Sequence, residues 1–308
     1  SACLVGSEMC IRDRCDACGK EIGMKLFIQE VQMDIKQGIL YKYQRYVIAI
    51  LLGCVLAMFY VTTCFHALDR GKISSMNFTL GDMLLYFFRG KEIYNPINGA
   101  EFMIPTEYMM LQLYLSYMIG DYILKDLLGV GKNILVRTQK RVFWWLSKCV
   151  WCVITVIGFY AAVYLSAVLI CMITGGSLTT ALTPEIVQTV CGIPAAVNDV
   201  PVDLQVLRHT VCWLPLVTSV GMALFQMMLA LVISPVIAYI VNVALLTAAA
   251  YYTVPFLQGN SFMMLRNACC VDGGVNTGLS IGISVAVAVI SIIIGKIYFD
   301  RMDILKKR

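Results

Sequence analysis

DYILKDLLGVGKNILVRTQKRVFWWLSK, residues 121–148, is the one long basic, amphipathic segment of this chain caught between two strongly apolar ones. In the connection after Asp121, six cations (Lys125, Lys132, Arg137, Lys140, Arg141 and Lys148) face a single acid, Asp126. Positive charge in short loops stays on the cytoplasmic side of a membrane, so this segment fixes the orientation of everything around it.

The apolar flanks place the chain in a bilayer. Of 308 residues 59% are hydrophobic and only 14% charged, against about 25% charged in soluble domains. Residues 46–68, 149–184, 209–265 and 273–295 contain no Asp, Glu, Lys or Arg. A membrane-spanning helix needs roughly 20 apolar residues, so the first, second and last runs supply one helix each. The third supplies two, divided at Ser234-Pro235 because proline removes a donor and disfavours helix before it. A weaker span covers 105–124, with Glu107 and Asp121 near its ends. The expected fold is all-α, a polytopic membrane protein with six transmembrane helices near 46–63, 105–124, 149–173, 211–233, 236–257 and 274–295. An amphipathic N-terminal helix and a cytoplasmic connecting helix accompany them.

Counting Lys and Arg from Met24 places fifteen on the side of the basic connection and six on the other. Both termini are therefore expected in the cytoplasm, with three outer loops. Ahead of the first span, Phe27, Ile28, Val31, Ile35 and Ile39 recur at helical spacing, with Glu30, Asp34 and Lys36 elsewhere on the wheel. That pattern predicts a helix lying in the inner membrane interface. In the first outer loop, Leu80, Met83, Leu84, Phe87 and Phe88 predict a short surface helix across the mouth of the bundle. Asn95-Pro96-Ile97-Asn98-Gly99 reads as a turn. Thr183-Pro184-Glu185 reads as the cap of a short outer helix. The thirteen cysteines are scattered and fit no disulfide scaffold; Cys269-Cys270 and Cys191 fall on the outer side, where free thiols are expected but a bridge is open to them.

Ser1 to Arg14 (SACLVGSEMCIRDR) resembles a translated sequencing-adaptor peptide. Cys15 to Gly23 reads as translated upstream DNA, since Gly19-Lys20-Glu21 can be encoded by a ribosome-binding sequence just before Met24. Residues 1–23 are thus expected to be a non-native leader, and 24–308 a single bacterial membrane domain.

Motifs that would carry chemistry fail on context. Gly129-Val130-Gly131-Lys132-Asn133 lacks the first glycine and the hydroxyl residue of a phosphate-binding loop. Gly278-Leu279-Ser280-Ile281-Gly282 fits a nucleophile elbow formally, but inside an apolar helix it reads as a Gly-x-x-x-Gly packing face, with Gly278 and Gly282 against another helix. The two histidines, His66 and His209, lie apart from any acid cluster, so no catalytic or metal-ligating residue is expected. Gln112, Asp121, Gln226 and Asn242 are the polar groups of the spans; Asp121 sits one turn from Lys125 and is expected to pair with it. Trp144, Trp145 and Trp151 read as an interfacial aromatic belt. Leu135, with Arg137, Lys140 and Arg141, presents apolar and basic groups together, which suits either anionic lipid or a cytosolic protein.

This combination resembles the type-2 ABC exporter permeases: six helices, an amphipathic N-terminal segment, a basic helix between spans two and three, a tight hairpin of spans four and five, and a charged tail. Arg137-Thr138-Gln139-Lys140-Arg141, followed by Trp144-Trp145-Leu146-Ser147-Lys148, is similar to the matching stretch of small permeases from bacterial export operons. The architecture matches over Met24 to Arg308, the motif only over about 121–151. The resemblance implies a permease subunit in the bacterial cytoplasmic membrane, lacking its own ATP site and cofactors. A separate ATPase would contact Leu135, Arg137, Lys140 and Arg141, and a second permease copy or paralogue and membrane lipids would be the other partners. Nucleic acid is not an expected partner. The alternatives are an accessory membrane subunit without a transport path, or an integral membrane enzyme.

Overall fold

The computed structural model describes residues 24–94, 102–129, 131 and 141–302. The turn expected at Asn95–Gly99 and the basic residues Lys132 to Lys140 lie outside them. Helices make up most of the fold: α1 (24–38), α2 (Tyr43–Asp69), α3 (Leu80–Phe88), α4 (Thr106–Gly120), α5 (Tyr122–Leu128), α6 (Arg141–Ile173), α7 (Pro184–Thr189), α8 (Leu204–Val232), α9 (Pro235–Tyr251) and α10 (Thr277–Arg301). Among the described residues the only strands are the pair Ala196–Val197 and Val200–Pro201. Their turn takes both Asn198 and Asp199 into positive φ, at 50° and 64°, as a tight hairpin with right-handed strand twist requires.

Among the described residues four helices are long and apolar enough to cross a membrane: Met24–Asp69 (α1 and α2 together), Arg141–Ile173, Leu204–Val232 and Thr277–Arg301. Pro235–Tyr251 is apolar but shorter. The 15 residues of α4 reach about 23 Å at 1.5 Å per residue, short of the roughly 30 Å of a hydrocarbon core.

Local chemistry explains most boundaries. Thr79 and Asp82 form a reciprocal capping box that starts α3. Asp203 accepts from the amides of Gln205 and Val206, so α8 begins well before the expected Val211. Ser234 and Pro235 start α9 together, and Asn276 caps α10. At α7, Pro184 takes the first helical position, but the Thr183 side chain makes no cap hydrogen bond. Its amide donates instead to Asp82 Oδ1 at 2.9 Å.

The loops at one end of the bundle are packed, not draped. Residues Gly81 to Phe88 of α3 are all buried, so the helix expected on the surface lies inside. The amides of Leu80 and Gly81 bond the 177–179 loop, and the amide of Leu265 bonds Arg89 O. Helix α9 stops at Tyr251, short of the expected Leu257. The chain then folds back through two 3-10 turns, Gln258–Phe262 and Met264–Arg266, that are entirely buried. Arg266 holds this return: its guanidinium donates to Ala249 O at 2.5 Å, Ala250 O at 2.7 Å and Asn260 Oδ1 at 2.9 Å, and reaches Lys91 O and Glu92 O. A cation at a helix C-terminus satisfies carbonyls that the helix cannot.

The core runs along α4, which packs against α2, α6, α8 and α9. Two rungs of hydrogen bonds lie one turn apart on it. Gln112 donates to Tyr160 Oη at 3.0 Å and Ser219 Oγ at 2.9 Å. Below it, Asn242 donates to Ser116 Oγ and to Gln226 Oε1, while Gln226 donates to Ser116 O at 2.8 Å. Gln112, Gln226 and Asn242 therefore cross-link helices, as buried polar groups must when no water reaches them.

One packing expectation finds no partner helix among the described residues of this chain. A Cβ on Gly282 would meet nothing within 4 Å, and one on Gly278 would meet only its own cap, Asn276. Among the described residues neither glycine packs on another helix. The buried stripe of α10 is Ser280, Ser284, Ser291, Gly295 and Phe299. Two residues advance a helix by roughly 200°, so Ser280 and Ser284 look away from the Gly278–Gly282 face. The glycine that permits close approach is Gly221 on α8, whose Cβ would lie 2.8 Å from Ser284 O.

Candidate functional site

The other end of the bundle carries α1, α5, the start of α6 and the end of α10. Helix α1 does not bury its apolar face there. Glu30, Asp34 and Gly38, at i, i+4 and i+8, form its buried stripe, while Ile28 is exposed and Phe27, Val31 and Ile35 are half-buried. The expectation of an apolar face down and acids in solvent is thus reversed for the acids.

The reason is Lys148, counted above among the cytoplasmic charges. It is 1% exposed and ion-pairs with Asp34, which is fully buried, and with Asp126 at 2.7 Å. Tyr122 Oη donates to Asp34 Oδ1 at 2.9 Å, and Trp144 Nε1 donates to Asp126 Oδ2 at 3.1 Å. The ammonium also stands 5.3 Å and 5.0 Å from the ring centres of Tyr122 and Trp144, a distance at which an aromatic face attracts a cation. Four elements are tied by these contacts: α1 through Asp34, α5 through Tyr122 and Asp126, α6 through Trp144 and Lys148, and α10 through Phe299, which stacks on Trp144 at 4.5 Å.

The cluster holds more acid than base. Glu30 also faces Lys148, Asp34 and Asp126, and its carboxyl is pushed up to about 7, by burial first, with Lys148 opposing and the two aspartates adding. Burial raises Asp34 as well, against the pull of Lys148. Among the described residues, Glu30 Oε2, Asp34 Oδ2 and Asp126 Oδ1 are buried without hydrogen-bond partners. Among the described residues no group of His, Cys, Asp and Glu is arranged to hold a metal ion. The raised carboxyl of Glu30 is a group of this cluster that can hold a proton.

The expected site residues divide. Leu135, Arg137 and Lys140 lie outside the described residues. Arg141 donates through Nη1 to Asp300 O at 2.9 Å, Met302 O at 2.8 Å and Phe299 O at 3.2 Å, so it closes the C-terminus of α10 instead of standing free. The aromatic belt is not there: Trp144, Trp145 and Trp151 are each 1% exposed. Trp145 donates to Ile292 O at 2.9 Å and packs where Gly295 leaves no room for a Cβ. Trp151 stacks on Tyr122 at 3.9 Å, and Gly38 clears its space. Indoles need a partner for a large apolar body, and here glycines on two other helices provide it. Asp121 and Lys125 do pair, at 2.7 Å on the surface.

Sequence reasoning missed Glu30, Asp34, Asp126 and Lys148 as a unit. The available signal was the spacing Glu30-Asp34-Gly38, a polar stripe ending in the residue with no side chain. Comparison with known proteins adds nothing: no family model, curated protein or solved structure matches the chain. What fold and site define is a class, an all-α protein with, among the described residues, four helices suited to a membrane and a buried ion cluster at the flanks of its basic connection.

Proposed function

We propose that the chain is the membrane-spanning permease subunit of an ATP-driven exporter, driven by a separate ATPase that docks on the basic connection between α5 and α6. The observation that carries this reading is the Asp34–Lys148–Asp126 knot. It brackets the connection, with Asp126 just before it and Lys148 just after, and it joins both flanks to α1. Arg141 adds α10. A push on the connection would move these helices together, as a mechanical lever needs.

On this reading the chain crosses the cytoplasmic membrane of a bacterium six times, with both termini inside. Contacts at the two ends favour it. Helix α5, which follows α4, the start of α6 and the end of α10 meet at the ion cluster. The start of α4, α3 and the return loop meet through Arg89, which pairs with Glu107 at 2.9 Å and accepts from Leu265. The partners are the ATPase with its ATP, a second permease copy or paralogue, and lipid.

The test is co-purification with a co-expressed ATPase from the same operon. Arg137→Glu with Lys140→Glu should abolish the complex and leave the permease folded. A complex that survives the reversal, or transport by the isolated chain, would overturn the proposal. A thiol probe added outside intact cells that labels Lys140→Cys would overturn the topology alone.

A further inference from the structure

The turn from Asn267 to Gly274 closes the return loop at the end of the bundle away from the basic connection. The amide of Ala268 donates to Val275 O at 3.0 Å and that of Val275 to Arg266 O at 2.7 Å, pinching the turn at its base. Asn267 grips both sides: its side-chain oxygen accepts from the Cys269 amide at 3.1 Å, and its side-chain nitrogen donates to Thr277 Oγ1, at the start of α10, at 2.9 Å. Between them sit Cys269, half-buried, and Cys270, fully enclosed, with their sulfurs 3.5 Å apart.

We propose that Cys269 and Cys270 are a reversible dithiol–disulfide pair, a redox modification site on this turn, with Cys269 as the attacking sulfur. Two features set the order of events. Cys269 is the one that solvent reaches, and the contact between the two sulfurs holds the Cys269 thiol below its ordinary range while Cys270 is driven above its own. A more thiolate-like, accessible sulfur is the nucleophile in exchange.

The oxidant is a disulfide, either a small one or that of a thiol–disulfide oxidoreductase. Cys269 thiolate attacks one of its sulfurs, the oxidant's S–S bond breaks, and one thiolate leaves. Cys270 then loses its proton and attacks Cys269 Sγ, expelling the second thiolate. Two protein thiols become one disulfide and the oxidant's disulfide becomes two thiols. Neighbouring Cα atoms are about 3.8 Å apart, closer than the 4.4–6.8 Å usual across a bridge, so this bond belongs to the readily reduced, switch-like class. Its formation acts on the Cys269 amide that Asn267 holds, and so on the start of α10. On the orientation proposed above, which the inference uses only for its setting, the turn faces the outer side, where disulfides persist.

The full chain, purified in detergent, is treated with oxidised glutathione, then alkylated and mapped by mass spectrometry on the peptide beginning at Asn267. The expected product has lost two hydrogens, resists alkylation at both cysteines, and regains two alkylated thiols after reduction. Cys270→Ser should accumulate glutathione on Cys269, and Cys269→Ser should stay largely unmodified at Cys270. Phenylarsine oxide, which bridges adjacent thiols, should block alkylation of the parent and of neither variant. Unchanged alkylation of the parent after oxidation overturns the proposal, as does a disulfide from either residue to another cysteine or to a second copy. Equal glutathione loading of the two variants overturns the assignment of Cys269 as nucleophile.

Discussion

Lys148 and Asp34, 114 residues apart in the chain, form an ion pair from which solvent is excluded. One lies in the segment that charge counting assigns to the cytoplasm, the other on a helix whose acids look like a solvated face. Their pairing converts two surface-type residues into the tie between the N-terminal helix and the third turn of α6.

Removing the cation should be costly. Lys148→Met leaves Asp34 and Asp126 buried without their counter-charge, a loss of about 3–5 kcal/mol for a broken buried pair. The expected result is a large drop in the thermal midpoint of the detergent-solubilised protein. Adding Asp34→Asn to Lys148→Met should recover part of it, because the double variant no longer buries that unpaired charge. A midpoint unchanged in the single variant would show that the pair is not buried.

Stability should fall as pH rises across Glu30's titration. Its carboxyl sits at about 7 in the folded chain against an ordinary value of 4.5. Between those values the folded state binds more protons than the unfolded, so protonation favours folding and the advantage is lost as pH climbs toward 7. Asp34 is raised too and contributes with the same sign. Glu30→Gln should flatten the slope of thermal midpoint against pH and exceed the parent above about pH 7. A variant with the parent's slope would remove Glu30 from the cluster.

Two glycines of α10 should respond in opposite directions. Gly295→Ala places a Cβ against the Trp145 ring, and overpacking of this kind costs about 1–3 kcal/mol. Gly282→Ala meets open space and gains helix propensity, up to about 1 kcal/mol. Thermal midpoints of the pair read the face of α10 directly; a destabilised Gly282→Ala would return the packing face to Gly278 and Gly282.

Arg266→Met should loosen the return loop. It strands Ala249 O and Ala250 O at the end of α9 along with Asn260 Oδ1, each a lost partner worth about 1–3 kcal/mol when buried. Limited proteolysis between Tyr252 and Gly274 should speed up markedly, and an unchanged rate would refute the clamp.

How far residues alone carried the fold depends on the physics involved. Apolar runs and capping residues act over a few neighbours, so the helices near 46–63, 149–173 and 274–295 were legible, as was the Asp121–Lys125 pair. The reach of α8 back to Leu204 and the buried cap of α3 were written in Asp203 and Thr79-x-x-Asp82, although hydropathy outweighed them. The site was much less legible. Glu30, Asp34, Asp126 and Lys148 look individually like surface residues, and a wheel drawn for α1 favours burying Phe27 and Ile28.

The sequence by itself determined that this chain is helical, suited to a membrane and asymmetric in charge, because hydropathy and charge are sums over neighbouring residues. Only the tertiary structure decided which charges are real surface charges and which cancel inside, that Trp144, Trp145 and Trp151 face inward, and that Ser284, not Gly282, meets a neighbouring helix. Those outcomes depend on which helix face meets which partner, and that is fixed by residues a hundred positions away.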